Sequence, residues 1–282
     1  MASLLNLKRR IKTAQNVSKT TKAMQMIAAS KLKKAQEAAL TGRPYVEKLT
    51  EVANSITAKV DPEALNDYMK RLSKGNEKLV LVIAPDKGLS GALVTNLTRE
   101  LVNFTKENKN VSYVTVGKKA LGSARISGGE ILASFEITTT LPTYDLVYPV
   151  MKLVDDNFLS GRVAEVYVLY SDFQSVFSQI PKIKKILPVE FESQEKSSEA
   201  LIEPAPSEIL PGLIRHYLEI NVFQAFLENY LSEQAARMLA MQNATENAQD
   251  IIEDLRLIYN KTRQEKITNE ILDIAGGVFA NA

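Results

Sequence analysis

Few residues in this chain are placed to do chemistry. Asp86-Lys-Gly-Leu-Ser-Gly91 follows an apolar strand pattern and precedes a helical one. In α/β proteins that position, at a helix N-terminus beyond a strand's carboxyl end, is where phosphates bind. The segment lacks the three spaced glycines of a dinucleotide fingerprint, and no P-loop occurs anywhere in the chain. The alternative is a tight strand-to-helix turn in which Gly88 and Gly91 supply backbone freedom. His216 is the single histidine, so a mechanism with two imidazoles is excluded. No serine stands in a nucleophile elbow. His216 lies among polar neighbours on a helical stretch and reads as a surface or interface residue. Asp155/Asp156 and Glu253/Asp254 are adjacent on helical stretches, point in different directions, and read as solvated faces. With no cysteine there is no disulfide, thiolate metal site or cysteine nucleophile. No catalytic, cofactor-binding or metal residue is assigned.

Charge is more informative. The net charge is only +2, yet residues 1–36 hold nine bases (Lys8, Arg9, Arg10, Lys12, Lys19, Lys22, Lys31, Lys33 and Lys34) and no acid. Such a block suits nucleic acid, an anionic membrane, an acidic protein surface or a targeting peptide. Residues 1–40 contain no aromatic to stack on bases. A targeting peptide would sit outside the heptad register, whereas here the register runs through the basic residues. An acidic protein surface is therefore the leading partner. The longest apolar run, Leu79 to Ala84, is far shorter than the ~18–20 residues that span a bilayer.

The elements that would carry these residues are unusual. Residues 1–41 and 213–275 contain neither glycine nor proline. The second stretch would form a helix of roughly 95 Å at 1.5 Å per residue, too long for an ordinary small domain to cover. Its seam in steps of 4 and 3 runs from Leu213 through Tyr217, Ile220, Gln224, Leu227, Leu231 and Gln234. It continues through Met238, Met241, Thr245, Ala248, Ile252 and Leu255 to Tyr259 and Thr262, predicting a coiled coil. A different stripe, Ile267, Ile271, Ile274 and Val278, then begins, as if the helix outruns its partner and meets another surface. The first stretch has a seam of small residues, Leu4 through Ala14, Ser18, Thr21, Gln25 and Ala28 to Ala39, and needs a partner to be stable. Segment 213–275 carries ten acids and six bases, so pairing with the basic helix is electrostatically reasonable. The sequence alone leaves the direction of pairing open.

The middle reads as α/β. Strands are expected at 79–84, 111–116, about 130–136 and 164–170, with helices near 91–108, 118–125 and 143–159. This alternation predicts a mainly parallel sheet. Residues 180–192 read as a final strand or hairpin, and 193–206 as a polar loop. The expected plan is a helix, an inserted α/β domain and a longer helix.

Several motifs now carry a resemblance. They are Arg10-Ile11, Lys22-Ala-Met-Gln-Met-Ile-Ala-Ala-Ser-Lys-Leu32, Asp86-Lys-Gly-Leu-Ser-Gly-Ala92 and Ser232-Glu-Gln-Ala-Ala-Arg-Met238. Met241 to Ala244, Tyr259-Asn-Lys-Thr-Arg-Gln-Glu-Lys-Ile-Thr-Asn-Glu270 and the ending Ile274-Ala-Gly-Gly complete the set. In this order the chain resembles, over nearly its whole length, the gamma-subunit family of F-type ATP synthases, the central rotor shaft. It departs at Thr20, where isoleucine is common and a first-seam knob would be looser. Ser90 replaces a cysteine, and Lys87 replaces an arginine. The cysteine-bearing regulatory insertion of the chloroplast version is missing. The match from Met1 gives the expectation of no transit peptide and a bacterial source.

The resemblance implies an α/β fold class: two long terminal helices wound as an antiparallel coiled coil, with an inserted Rossmann-like α/β domain. The expected divisions are 1–60, 76–192 as a foot, and 207–282 packing with 1–60 as one shaft. Function would be rotation that couples ion flow through a membrane ring to ATP chemistry in surrounding subunits. No cofactor, nucleic acid or small-molecule substrate would be bound by this chain. Its partners would be three alpha and three beta subunits, an epsilon subunit and the c-ring, peripheral on the cytoplasmic side of a bacterial cell membrane. Subunit-interface residues carried over by the resemblance are Lys19, Lys22, Met24, Arg237, Arg263, Gln264, Thr268 and Glu270, with Glu203 toward the ring and epsilon. Arg263 and Thr268 would lie about 140° apart on a helix, so only a shaft enclosed on all sides uses both. Two alternatives stay open: a coiled-coil adaptor with a nucleotide-binding α/β domain, and a basic nucleic-acid-binding rod.

Overall fold

The computed structural model describes residues 4–61, 65–73, 75–137, 140–191 and 203–280, with backbone alone for 273–280. Helix α1 spans Leu4–Thr57 and helix α5 spans Pro206–Ala280. Between them lie β1 (Lys78–Ile83), α2 (Leu93–Glu107), β2 (Val111–Val116), α3 (Lys118–Ser127), β3 (Glu130–Phe135), α4 (Val147–Leu159), β4 (Glu165–Ser175) and β5 (Ser178–Leu187). Two compact units result. One holds Met1–Ala28 with Met238–Ala282, the other Ala29–Arg237, so each long helix contributes to both.

In the first unit the helices run antiparallel. Thr21 meets Thr245, while Arg10 and Ala14 line a groove with Ile251 and Leu255. The α5 seam from Met241 to Leu255 is buried at Met241, Thr245, Ala248, Ile252 and Leu255. Thr20 is exposed, so the looser seam knob expected there does not exist; Thr21 takes the seam position. The expected charge pairing is not realised as direct contacts either. Among the described residues no ion pair joins Lys8, Arg9, Arg10, Lys12, Lys19 or Lys22 to an acid of α5. The seam brings small residues together, and the bases project outward from it.

In the second unit α1 continues past its first glycine and proline. Pro44 cannot donate to Leu40, and the Gln224 side-chain amide donates to the adjacent Ala39 carbonyl at 3.3 Å. A Cβ on Gly42 would stand 2.7 Å from Gln224 Oε1, so the missing side chain admits that amide. α5 starts seven residues before the glycine- and proline-free stretch. Pro206, expected in a loop, is its first residue, where a missing N–H costs nothing. Of the rest of the loop expectation, 203–205 is irregular chain and 193–202 falls outside the described residues.

The sheet order is β3-β2-β1-β4-β5, parallel except for β5. Leu79, Leu81 and Ile83 of β1 face one core with Val150, Val154 and Phe158 of α4 and Ile214, Leu218, Val222 and Phe226 of α5. Val80 and Val82 face the other core with Leu97, Leu101, Ala120 and Ala124 of α2 and α3. Burial on both faces is why β1 reads as an unbroken apolar run. Each such fully buried side chain stabilises the fold by about 1.5–3 kcal/mol. Gly117 ends β2 at φ 97°, where a Cβ would lie 1.9 Å from the Ala84 carbonyl oxygen.

Candidate functional site

In this strand order the connections reverse between β1 and β4, and the crevice beyond their carboxyl ends is where doubly wound proteins place ligands. Here that place is filled by the protein's own helix. In the turn after β1, Leu89 (φ 65°) and Gly91 (φ 57°) take left-handed backbone; Gly88, expected to do so, does not. Arg237 of α5 reaches over this turn, its Nη2 3.4 Å from the carbonyls of Lys87 and Gly88. Its Nη1 pairs with Glu233 at 2.6 Å. Burial pushes the Glu233 carboxyl up, against the pull of Arg237. Asp86 accepts from the Lys118 amide at 2.8 Å, tying the turn to the start of α3.

The other wall of the crevice is β4. Pairing of β4 with β1 ends at Val82 and Leu169, but β4 runs on to Ser175. Its freed edge is taken up by side chains. Asn229 Oδ1 accepts from the Ser171 amide at 3.3 Å, and Ser232 Oγ donates to the Ser171 carbonyl at 2.8 Å. Arg43 Nη2 donates to the Phe173 carbonyl at 3.4 Å. Residues 171 and 173 share an edge because backbone groups alternate along a strand. Opposite Ser171 on β5 stands Pro181, which has no N–H to offer. Arg43 is itself held by a two-point contact to Glu228, 2.8 and 3.0 Å, which raises its pKa chiefly through that hydrogen bond.

Residues 225–236 of α5 are accordingly buried on every face. The heptad pattern announces one of these faces. Off that seam stand Asn229 and Ser232, which bond to β4, Glu228, which holds Arg43 of α1, and Glu233, which pairs with Arg237; all four look like solvated residues in the sequence. A cue was present in the run of polar residues off the seam without the lysines that mark an exposed face.

A second network lies nearby. Tyr68 donates to Asp155 at 2.9 Å, Arg215 pairs with Asp155 at 2.6 Å and with Glu219 at 3.1 Å, and Tyr144 donates to Glu219 at 2.8 Å. Burial, reinforced by Asp155, pushes the Tyr68 hydroxyl up to about 12. Burial opposes the Arg215 charge, but Asp155 outweighs it and the pKa rises. Asp155 is therefore not on a solvated face: it is 7% exposed because α4 turns it toward α5. Asp156, Glu253 and Asp254 are exposed. His216 is half-buried, with Nε2 2.7 Å from the Tyr45 hydroxyl of α1.

The carried-over interface residues do not form one cluster. Lys19 and Lys22 line a polar groove with Gln25, Gln242, Thr245 and Glu246, and Lys22 donates to Gln25 at 3.2 Å. Met24 is half-buried. Arg263, Gln264, Thr268 and Glu270 are exposed; Thr268 donates to the Gln264 carbonyl, and Lys266 lies 3.6 Å from Glu270. Glu203 is exposed ahead of α5. Arg237 alone is built into the protein's own interior contacts. Among the described residues no group of acids and histidine is arranged to hold a metal ion.

These features can be set against known proteins. A family profile described as ATP synthase matches residues 3–280. The ATP synthase gamma chain of Dehalococcoides mccartyi is 42% identical over the full length of both chains. This chain belongs to the ATP synthase gamma-chain family. The gamma chain of Roseiflexus castenholzii is 35% identical across 100% of this chain and 99% of its own. The fold is also that of a chain in the rotor of the Euglena gracilis mitochondrial ATP synthase, at 21% identity and TM-score 0.69, covering 94% of this chain and 98% of that one. A second state of that synthase gives a TM-score of 0.75 at 21% identity, covering 98% and 94%. Membership makes the chain a rotor shaft of an F-type ATP synthase and a non-catalytic subunit of a membrane-associated complex. No described helix is long and apolar enough to cross a membrane.

Proposed function

We propose that this chain turns inside a head of three alpha and three beta subunits and carries rotation between that head and a membrane c-ring, with an epsilon subunit held beside it on the cytoplasmic side. Residues 1–60 and 207–282 serve as one shaft and 76–192 as the foot. The observation that carries the reading is the apolar surface left open on the last part of α5. Leu257, Ile258, Ile267, Ile271 and Leu272 are between 47% and 68% exposed. Large apolar side chains left open in such number on one segment mark an interaction site. The same stretch presents Arg263, Gln264, Thr268 and Glu270, so polar and apolar contacts are offered around the helix, as an enclosing sleeve requires. Lys19 and Lys22 face acidic loops of the catalytic subunits, Met24 beside them lies in a packed contact, and Glu203 faces the ring and epsilon.

Co-purification tests this directly. The chain should elute with two ATPase subunits, each in threefold excess over it. Elution alone, with saturable nucleotide binding to the isolated chain, would favour the adaptor alternative. Retention on nucleic acid at physiological salt would favour the basic-rod alternative.

A further inference from the structure

In the rotor reading twist must pass between the α/β domain and the long helices, and directional bonds tie all three around residues 215–219 of α5 and again where β4 has an open edge. At the end of β1, strand β4 loses its neighbour on one side. In place of a strand, α5 offers Asn229 and Ser232 to the two backbone groups of Ser171, and α1 offers Arg43 to the carbonyl of Phe173. Arg43 is fixed in turn by Glu228 of α5, which is 4% exposed and also accepts from Gln224 at 2.9 Å. Gln224 reaches back to Ala39 of α1. The stretch of α5 from Gln224 to Ser232, about two and a half turns, thus holds a strand of the sheet and the other long helix together.

Apolar packing alone would serve this purpose poorly. Ile214, Leu218, Val222 and Phe226 attach α5 to the sheet. The hydrophobic effect is non-directional and depends on buried area, so it holds the surfaces together without strongly opposing small sliding motions. Hydrogen bonds weaken steeply with angle and distance, so they fix register. Bonding both the N–H and the C=O of one residue pins that residue against translation along α5 in either direction. The forked guanidinium of Arg43 adds a planar, two-point constraint that a lysine could not reproduce. Nor is the tie a remnant of a ligand site: its groups are bonded to one another across the crevice that a ligand would otherwise use.

We propose that Arg43, Asn229 and Ser232 form the torsion joint of the rotor, through which twist passes from the α/β domain into α1 and α5 together, with Arg43 as the positioning residue. This rests on the rotor reading and adds where the shaft's stiffness originates.

The test uses the complete complex with its head fixed to a surface and a bead on Lys109→Cys, an exposed position of the otherwise cysteine-free α/β domain. The angular spread of the bead during pauses between ATP-driven steps reports torsional stiffness. Arg43→Ala and the pair Asn229→Ala with Ser232→Ala should widen the spread while ATP turnover at saturating ATP stays at the wild-type value. Arg43→Lys should give an intermediate spread. A staple provides the converse test in the Arg43→Ala background, with Lys109 left unchanged and the bead held through a biotinylated peptide tag instead. There a disulfide between Ser171→Cys and Ser232→Cys should narrow the spread when oxidised and release it when reduced. A merely structural role would lower stability or assembly and leave the spread of assembled complexes unchanged; that result overturns the proposal. So does a formed staple that leaves the spread wide. If Arg43→Ala fails to assemble, Arg43→Lys and the Asn229/Ser232 pair decide by the same criterion. A wild-type complex that hydrolyses ATP without turning the bead would instead overturn the rotor reading itself.

Discussion

Thr21 Oγ1 and Thr245 Oγ1 lie 2.7 Å apart across the seam where α1 and α5 run antiparallel. Each hydroxyl also has a carbonyl on its own helix, Ser18 at 3.1 Å and Met241 at 2.7 Å. A hydroxyl has one proton, so when Thr245 donates to Met241 it accepts from Thr21. Polar residues at two facing seam positions weaken the apolar zip and fix register instead. Replacing either threonine by valine should cost up to ~1 kcal/mol, and replacing both should cost less than the sum of the two. Denaturant unfolding of the four variants measures that coupling; strictly additive losses would show the pair contributes nothing as a pair.

Arg215 and Asp155 give a larger effect. Asp155 is buried and keeps only the Tyr68 hydroxyl if the guanidinium is removed. Fully buried pairs cost ~3–5 kcal/mol when broken, and Arg215 is 42% exposed, so Arg215→Ala should lose roughly 2–3 kcal/mol. Tyr68→Phe should lose about 1 kcal/mol and Asp155→Asn less than Arg215→Ala, since no charge is stranded. Melting temperatures in that order support the network; an Arg215→Ala variant as stable as wild type argues against it.

Glu165 supplies the pH dependence. Burial raises its pKa, but Lys78 at 3.0 Å and the Tyr167 hydroxyl at 2.9 Å outweigh this and the net shift is downward. A carboxyl depressed in the folded state adds stability that is present above its unfolded value of ~4.3 and is lost as pH falls through the folded value. Wild type should therefore lose stability more steeply than Glu165→Gln on acidification below that point. The difference should be no more than ~1 kcal/mol for a partly screened pair. Parallel stability curves from pH 7 to pH 3 would refute the assignment.

Two glycines should respond very differently to alanine. Gly117 has φ 97° and backbone 1.9 Å from the added Cβ, so Gly117→Ala should cost roughly 3 kcal/mol or more and leave the α/β domain poorly folded. At Gly42 the atom in the way is the end of a flexible side chain, Gln224 Oε1. The helix gains from alanine what the displaced amide loses, and Gly42→Ala should stay within ~1 kcal/mol of wild type. Circular dichroism melts separate the two.

Arg263, Gln264 and Thr268 are exposed in the chain alone, so their alanine variants should leave its own stability unchanged within about 0.5 kcal/mol. In the assembled complex at least one should lower ATPase activity or assembly. Wild-type behaviour in all three would remove them from the interface.

Much of the architecture was legible from residue order. The absence of glycine and proline over 213–275 required a very long helix, and the run Leu79–Ala84 required a strand buried on both faces. The seams named the residues that line the helix pair in the first unit, including Thr21 and Thr245. These signals are local: propensity and period are written into neighbouring residues. The motifs with fixed order, Lys22–Leu32 and Tyr259–Glu270, carried the family and with it the function.

What tertiary structure decided concerns polar residues that face other elements. Asp155 looks solvated beside Asp156, yet α4 turns one toward Arg215 and the other to water. Glu228, Asn229 and Ser232 sit off the heptad seam and read as surface until β4 outruns β1 and its open edge needs partners. Gly42 and Pro44 interrupt the residue pattern of the first helix, and only the fold shows Gln224 reaching the carbonyl beside the gap. In each case the deciding quantity is the free energy of an unpaired buried group, which depends on what lies opposite in space. Sequence order carries the helix and strand periods but not that partner. The crevice that looked open to phosphate is closed by α5 for the same reason.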